Sequence, residues 1–192
     1  MQNLAHYVRV YDDVFEKDFC DSLIKLYDKN VKDGSELYRR SDHRWEQDYR
    51  GFGELAIAQS DDFKPHIKKY YERISEVYSH YKNAVDNEFF PDKHAFEDCR
   101  MKKYEPDNHD QFGWHIDVGD KASSSRFLAV LTYMNDIPEG EGATRFRSNV
   151  DFTVSPKCGR ILVFPSSFMY PHIGEKVTTD AKYIISSYIH YV

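Results

Sequence analysis

The chain has no run of eighteen apolar residues, and its mean hydropathy is -0.71, so nothing in it reads as a membrane-spanning helix. Cysteine is scarce: Cys20, Cys99 and Cys158 are odd in number, far apart and without a CxxC pair. A disulfide-stapled scaffold and a cysteine zinc site are therefore excluded, and a reducing compartment is expected. Positive charge is not in excess, with 26 Lys and Arg against 32 Asp and Glu and a net charge of -6, which argues against a general nucleic-acid binder. The opening MQNLAHYVRVYDD holds neither a basic leader nor an apolar stretch, so a cytoplasmic location is expected. No internal repeat, low-complexity tract or Pro/Gly/Ser linker divides the 192 residues, which are read as one domain.

Aromatic residues, by contrast, are plentiful, with 15 Tyr and 13 Phe. Most are assigned to a β-rich core, since rings suit half-buried pleated surfaces. The character of the chain changes near residue 95. Before it, VRVYDDVF reads as a short strand, and a helix is predicted over 18–30 with Asp18 as N-cap and Cys20, Leu23, Ile24 and Tyr27 on one face. A longer helix is predicted over 61–85, its stripe formed by Phe63, Ile67, Tyr71, Ile74, Tyr78, Tyr81 and Val85, with Pro65 in the first turn. The 34–58 segment between them mixes arginines with rings. It is either an ordinary connection with some irregular strand or a lid over an extended substrate, with Arg44, Trp45 and Tyr49 as candidate substrate contacts.

After residue 95 short strands alternate with turns: FEDCRMKKY, FGWHID, RFLAVLTYM, ATRFR, DFTVS, GRILVF and KYIISSYIHY. The predicted fold is mostly β with packed helices, a double-stranded β-helix or jelly roll over 96–192 supported by the helical residues 1–95.

The stretch GWHIDVGD contains His115 and Asp117. In a strand both point to one face with Ile116 behind them. Chance alone places about one His-x-Asp in a chain of this composition, so the pair is half a metal site or nothing. A non-haem iron site needs two histidines and one carboxylate with three positions open, whereas zinc favours a tetrahedron. The third ligand belongs on a later strand. His94, His109 and His190 are less well placed than His172, which follows the strand GRILVFPSS. Ten residues on, Lys182 opens the last strand, where a buried ammonium can pair with the far end of a dicarboxylate.

Taken in order, HID at 115–117, LTYMNDIPEGEGATRF at 131–146, GRILVFPS at 159–166 and HIGEKVTTDAKY at 172–183 resemble the catalytic core of the prolyl 4-hydroxylase-like family of iron(II)/2-oxoglutarate dioxygenases. The resemblance runs from Tyr104 to Val192 and is looser before it, through FEKDFCDSLIKL and an RRS turn at 39–41. It implies that His115, Asp117 and His172 are the catalytic iron ligands and that Lys182 binds the distal carboxylate of 2-oxoglutarate. Tyr104, Tyr133 and Leu131 would lie against that cosubstrate, and Tyr188 would occupy a spot beside the metal where relatives often carry Trp. Two departures stand out. The Tyr104–His115 segment is two residues longer than the family's form and lacks its early glycine. The paired glycines become Gly140, Glu141 and Gly142, a change expected to stay within its loop.

The activity so implied is hydroxylation of an unactivated C–H by O2, with Fe(II) and 2-oxoglutarate as cofactor and cosubstrate, succinate and CO2 as by-products, and ascorbate as a candidate reductant. The retained Asp117 favours hydroxylation over halogenation, whose enzymes leave the carboxylate position empty. A prolyl residue in a peptide or protein is the favoured substrate, since rings stack on proline and extended peptides dock in aromatic grooves. A free amino acid or small metabolite is the alternative, because the fold does not choose the substrate. A cupin-like metalloenzyme would carry an HxH pair, and none exists here. A non-catalytic jelly-roll binding module would not be expected to keep the complete set.

Overall fold

The computed structural model describes residues 4–32, 38–42, 50–85, 89–108, 110–147 and 152–192. In chain order the strands and helices are β1 (Arg9–Tyr11), α1 (Lys17–Lys32), β2 (Tyr38–Asp42), β3 (Arg50–Leu55), α2 (Lys64–Val85), β4 (His94–Phe96), β5 (Arg100–Tyr104), β6 (Phe112–His115), β7 (Arg126–Tyr133), β8 (Thr144–Phe146), β9 (Thr153–Val154), β10 (Ile161–Pro165), β11 (His172–Gly174) and β12 (Lys182–Tyr191). Among the described residues no helix is long and apolar enough to cross a membrane.

The strands pair antiparallel in the order β1-β10-β7-β12-β5-β3-β6-β11-β8-β9, with β2 on β3 and β4 on β12. The register Arg50↔Phe112 is the narrow join between the layer ending at β3 and the layer beginning at β6. The two layers face each other as a jelly roll, and a buried cluster fills the space between them: Phe52 and Tyr104 from one side, Phe146 and Val154 from the other.

The alternation of β5, β7 and β12 explains which side chains reach the interior. In β12, Tyr183, Ile185 and Ile189 join the core under the helices, while Ile184 and Tyr188 belong to the inner cluster. In β7, Leu128 and Val130 face the helices, while Ala129, Leu131 and Tyr133 face inward. Met101 in β5 faces the helices and Tyr104 faces inward. A β-strand thus packs α1 and α2 with one set of residues and lines the barrel with the other.

Both predicted helices exist. Helix α1 starts one residue before Asp18, and the Glu16 carbonyl accepts from the Phe19 and Cys20 amides, so Asp18 lies inside the first turn rather than at the N-cap. A 3-10 turn at Asp61–Phe63 precedes α2. The buried face of α2 is wider than the predicted stripe: Tyr70 and Val77 are buried, whereas Ile67 and Tyr71 are only partly so. Tyr70 reaches through the core to share a hydrogen bond with Thr132 of β7 at 3.2 Å.

Strand β1 falls within the predicted strand VRVYDDVF, and β2 and β3 lie within the 34–58 segment read as a connection with some irregular strand or a lid. Two expectations are corrected. Arg39–Ser41 form part of strand β2 rather than a turn. Strand β6 ends at His115, so Asp117 lies in the bend beyond it, and not on the same strand.

Candidate active site

The antiparallel pairing of β6 with β11 sets His115 directly opposite His172. Their rings lie 4.1 Å apart, centroid to centroid. Asp117 curls back after β6 so that its Oδ1 is 3.9 Å from His115 Nε2 and its Oδ2 is 3.9 Å from His172 Nε2. The three donor atoms lie within 4.8 Å of one another. The side chains are only 7 %, 5 % and 4 % exposed, in the order His115, Asp117, His172.

The protonation pattern suits a metal. His115 Nδ1 lies 2.8 Å from the Gly113 carbonyl and His172 Nδ1 lies 3.0 Å from that of Tyr170. A carbonyl only accepts, so both Nδ1 atoms carry the proton and both Nε2 lone pairs face the centre. Asp117 Oδ1 accepts from the Tyr188 hydroxyl at 2.9 Å, while the buried Oδ2 has no hydrogen-bond partner among the described residues. A buried carboxylate oxygen without a partner is costly, and a cation supplies what it lacks. Two imidazoles and one carboxylate on one side, with no cysteine nearby, are a donor set that fits Fe(II). Phe112 stacks on His115 with ring centroids 3.6 Å apart and planes 6° from parallel, which fixes the ring further.

Beside the three donors runs a narrow cavity lined by Tyr104, Leu131, Tyr133, Thr144, Lys182 and their neighbours. Lys182 is 2 % exposed. Its ammonium donates to the Gly142 carbonyl at 2.8 Å and stands 4.3 Å from the centre of the Tyr104 ring. Burial pushes this group down to about 7, partly offset by the charge of Glu175. No carboxylate lies within ion-pair distance of it in the described structure, and a β-carbon added at Gly174 would come within 3.9 Å of its Nζ. The cavity end therefore presents a buried cation. Burial pushes the phenols of Tyr104 and Tyr133 up, so both stay donors, and Tyr133 Oη donates to Thr144 Oγ1 at 2.7 Å.

A wider groove opens on the other side and shares His115, Asp117 and Tyr188 with the inner cavity. Its walls carry charges of both signs, including Glu54, Arg100, Glu97 and Arg126. The side chains of Glu97 and Arg126 form a two-pronged ion pair, with Nε to Oε2 at 2.6 Å and Nη2 to Oε1 at 2.5 Å.

His115, Asp117, His172, Lys182, Tyr104, Tyr133, Leu131 and Tyr188 are thus gathered around one cavity. The longer Tyr104–His115 segment is accommodated by a 3-10 turn at Pro106–Asn108 and by buried Asp110, whose Oδ2 accepts from the Glu105 amide at 2.9 Å, so Tyr104 keeps its inward place. Arg44, Trp45 and Tyr49 lie outside the described residues, as does His109. His94 packs on Tyr78, and His190 pairs with Ala95 and Arg126 in the sheet; neither belongs to the group of three donors. Phe112, Thr144 and the Gly142 carbonyl were not foreseen from sequence; their only signal was position within ATRF, FGWH and EGEGA. The Gly140–Gly142 change is not confined to its loop either. Glu141 accepts from the amides and hydroxyls of Thr178 and Thr179, tying that loop to the approach to β12.

Residues 99–190 match the sequence profile of the 2OG-Fe(II) oxygenase superfamily. Among the curated proteins no sequence matches the chain. Solved structures of similar shape include the viral collagen prolyl hydroxylase of Paramecium Bursaria Chlorella virus-1 in its 2OG complex, at a TM-score of 0.69 and 21 % identity over 97 % of each chain. Another is the Trichoplax adhaerens prolyl hydroxylase in complex with a hypoxia inducible factor peptide fragment, at 0.75 and 16 % identity, covering 96 % of this chain and 84 % of that one. A third is a Pseudomonas putida prolyl-4-hydroxylase, at 0.69 and 16 % identity, covering 97 % and 94 %. At these identities the likeness is one of fold.

Proposed function

Through residues 99–190 the chain belongs to the 2OG-Fe(II) oxygenase superfamily and is a 2-oxoglutarate- and Fe(II)-dependent dioxygenase, and we propose that it hydroxylates a prolyl residue in a peptide or protein, with release of succinate and CO2. The observation that carries the site assignment is convergence: two Nε2 lone pairs, an unpartnered carboxylate oxygen and a buried ammonium border one cavity. His115, Asp117 and His172 hold the iron. Lys182 takes the distal carboxylate of 2-oxoglutarate through a charge-assisted hydrogen bond, and Tyr133 and Thr144 offer hydroxyls along the same wall. Leu131 and Ile184 give the cavity an apolar flank that keeps bulk water from the reacting centre.

When bound, iron, 2-oxoglutarate and O2 together supply the oxidising power that replaces C–H by C–OH as the keto acid is converted to succinate and CO2. The protein's part is to hold the donors at fixed positions and admit the substrate from the outer groove. That groove meets the inner cavity at His115, Asp117 and Tyr188, an arrangement that supports an extended substrate laid across the metal. The prolyl hydroxylases of similar fold support the choice of proline.

The test is to incubate the iron-loaded protein with 2-oxoglutarate and a panel of proline-containing peptides. One added oxygen on a peptide, with matching succinate, is the expected result, and both should vanish in His172→Ala. Turnover of free proline or another small acid but of no peptide would move the substrate to the metabolite class. Failure to bind 2-oxoglutarate at all would remove the catalytic assignment.

A further inference from the structure

With both imidazole Nδ1 atoms turned to backbone carbonyls, the carboxylate is the donor group that still has two ligating atoms to offer. Rotation about the last torsion of an aspartate is soft, so an unrestrained carboxylate can offer either oxygen or both. Here the choice is made by a neighbour. Tyr188 Oη donates to Asp117 Oδ1 at 2.9 Å, and Oδ2 has no partner among the described residues.

Tyr188 is itself held in place. It lies in β12 opposite Ala129 of β7, with its ring turned into the barrel. The Arg126 guanidinium sits 3.9 Å from the ring centre, on a cation–π stack. Arg126 is fixed in turn by its two hydrogen bonds to Glu97, and its remaining Nη1 approaches the Asp117 carbonyl at 3.4 Å. Side chain and main chain of Asp117 are therefore tied to one rigid unit built from β7, β12 and the residue after β4.

We infer that Tyr188 is the positioning residue of Asp117: its hydroxyl occupies Oδ1, leaves Oδ2 alone to ligate, and so prevents the carboxylate from taking two metal positions. This rests on the reading of His115, Asp117 and His172 as the ligand set. An octahedral ion with three protein donor atoms has three positions left for cosubstrate and oxygen. A second carboxylate oxygen would remove one of them. Partners of this kind are worth about 10- to 100-fold in metal affinity or activity.

Tyr188→Phe keeps the ring and its stack on Arg126 and deletes only the donor, while Tyr188→Leu deletes both. Mn(II) is titrated into the full chain and free ion is followed by electron paramagnetic resonance. Under the inference both variants lose about tenfold or more in Mn(II) affinity. In anaerobic Fe(II) samples the visible charge-transfer band of bound 2-oxoglutarate should also shift or weaken in both. Wild-type affinity and an unchanged band in Tyr188→Phe, with loss only in Tyr188→Leu, would make the ring a packing element and overturn the inference. Should Tyr188→Phe not fold, Arg126→Leu decides instead. Loosening the ring should weaken Mn(II) binding about threefold, and unchanged affinity overturns the inference. The two levels separate cleanly. A wild type that binds no Mn(II), or a His172→Ala that binds it equally well, defeats the ligand set and the inference together. A wild type that binds, beside an unaffected Tyr188→Phe, defeats the inference alone.

Discussion

Buried with no carboxylate partner among the described residues, Lys182 should make cosubstrate binding depend on pH. Its ammonium is held down to about 7 by burial, against 10.5 for an exposed lysine. That difference corresponds to a cost on the order of 5 kcal/mol for keeping the charge in the empty cavity. In the free protein the group is a base with a depressed value. Its contribution to stability is full above 10.5, where both states are neutral, and is lost as pH falls from there to 7. A dicarboxylate reverses the balance, because it needs the charged form and raises the affinity of the amine for its proton. At pH 7 about half the molecules are ready to bind, and at pH 8 about one in eleven, so the dissociation constant of 2-oxoglutarate should rise about fivefold over that unit. Calorimetric titration of the metal-loaded protein in two buffers of different ionisation enthalpy would also read uptake of about half a proton at pH 7. A keto acid lacking the distal carboxylate should show neither effect. Lys182→Met should bind 2-oxoglutarate at least about 100-fold more weakly and lose the pH dependence. An equal affinity of the wild type at pH 7 and pH 8 would refute the reasoning.

Other perturbations test the frame that holds the site. Gly159 has φ of +76°, and a β-carbon there would fall 2.1 Å from the Phe15 carbonyl oxygen, so Gly159→Ala should destabilise by more than about 1 kcal/mol, read as a lowered melting temperature; no change would show that the turn before β10 can move. Ile185 is fully buried between β12 and the helices, and Ile185→Ala should cost about 2–5 kcal/mol in denaturant titration while leaving the metal affinity of the folded protein intact. Loss of metal binding at full folding would mean that the two faces of β12 are coupled. His172→Ala should abolish succinate formation with the far-ultraviolet spectrum unchanged, because His172 opens a three-residue strand paired on both sides.

Most of the site was legible because its members sit at places where local pattern is strong. His115 and Asp117 are two apart, Lys182 heads a ten-residue strand, and the strands of the second half alternate plainly. The prediction that His172 joins the pair was an argument about order along the chain, and the β6–β11 register supplies the contact. What failed to show was of another kind. Strands β4 and β11 have three residues each, too short for a period of two to be seen. Strands β2 and β3 contain charged residues and glycines, and the pairing of β2 with β3 and of β3 with β5 is visible only in three dimensions. Glu54 and Lys102 read as exposed by type, yet are buried and lie 3.8 Å apart across β3 and β5. Asp117 points inward from a bend rather than from a strand face, so the expected geometry was wrong although the residue does lie beside His115 and His172.

The ammonium of Lys182 and the donors opposite it are carried by paired strands rather than by free loops. β12 is bonded to β7 on one side and to β5 on the other, and β11 is flanked by β6 and β8. Under the proposed reading, a frame laced on both sides should hold the spacing between the Lys182 ammonium and the three donors constant, so a keto diacid one methylene shorter or longer should bind more weakly than 2-oxoglutarate.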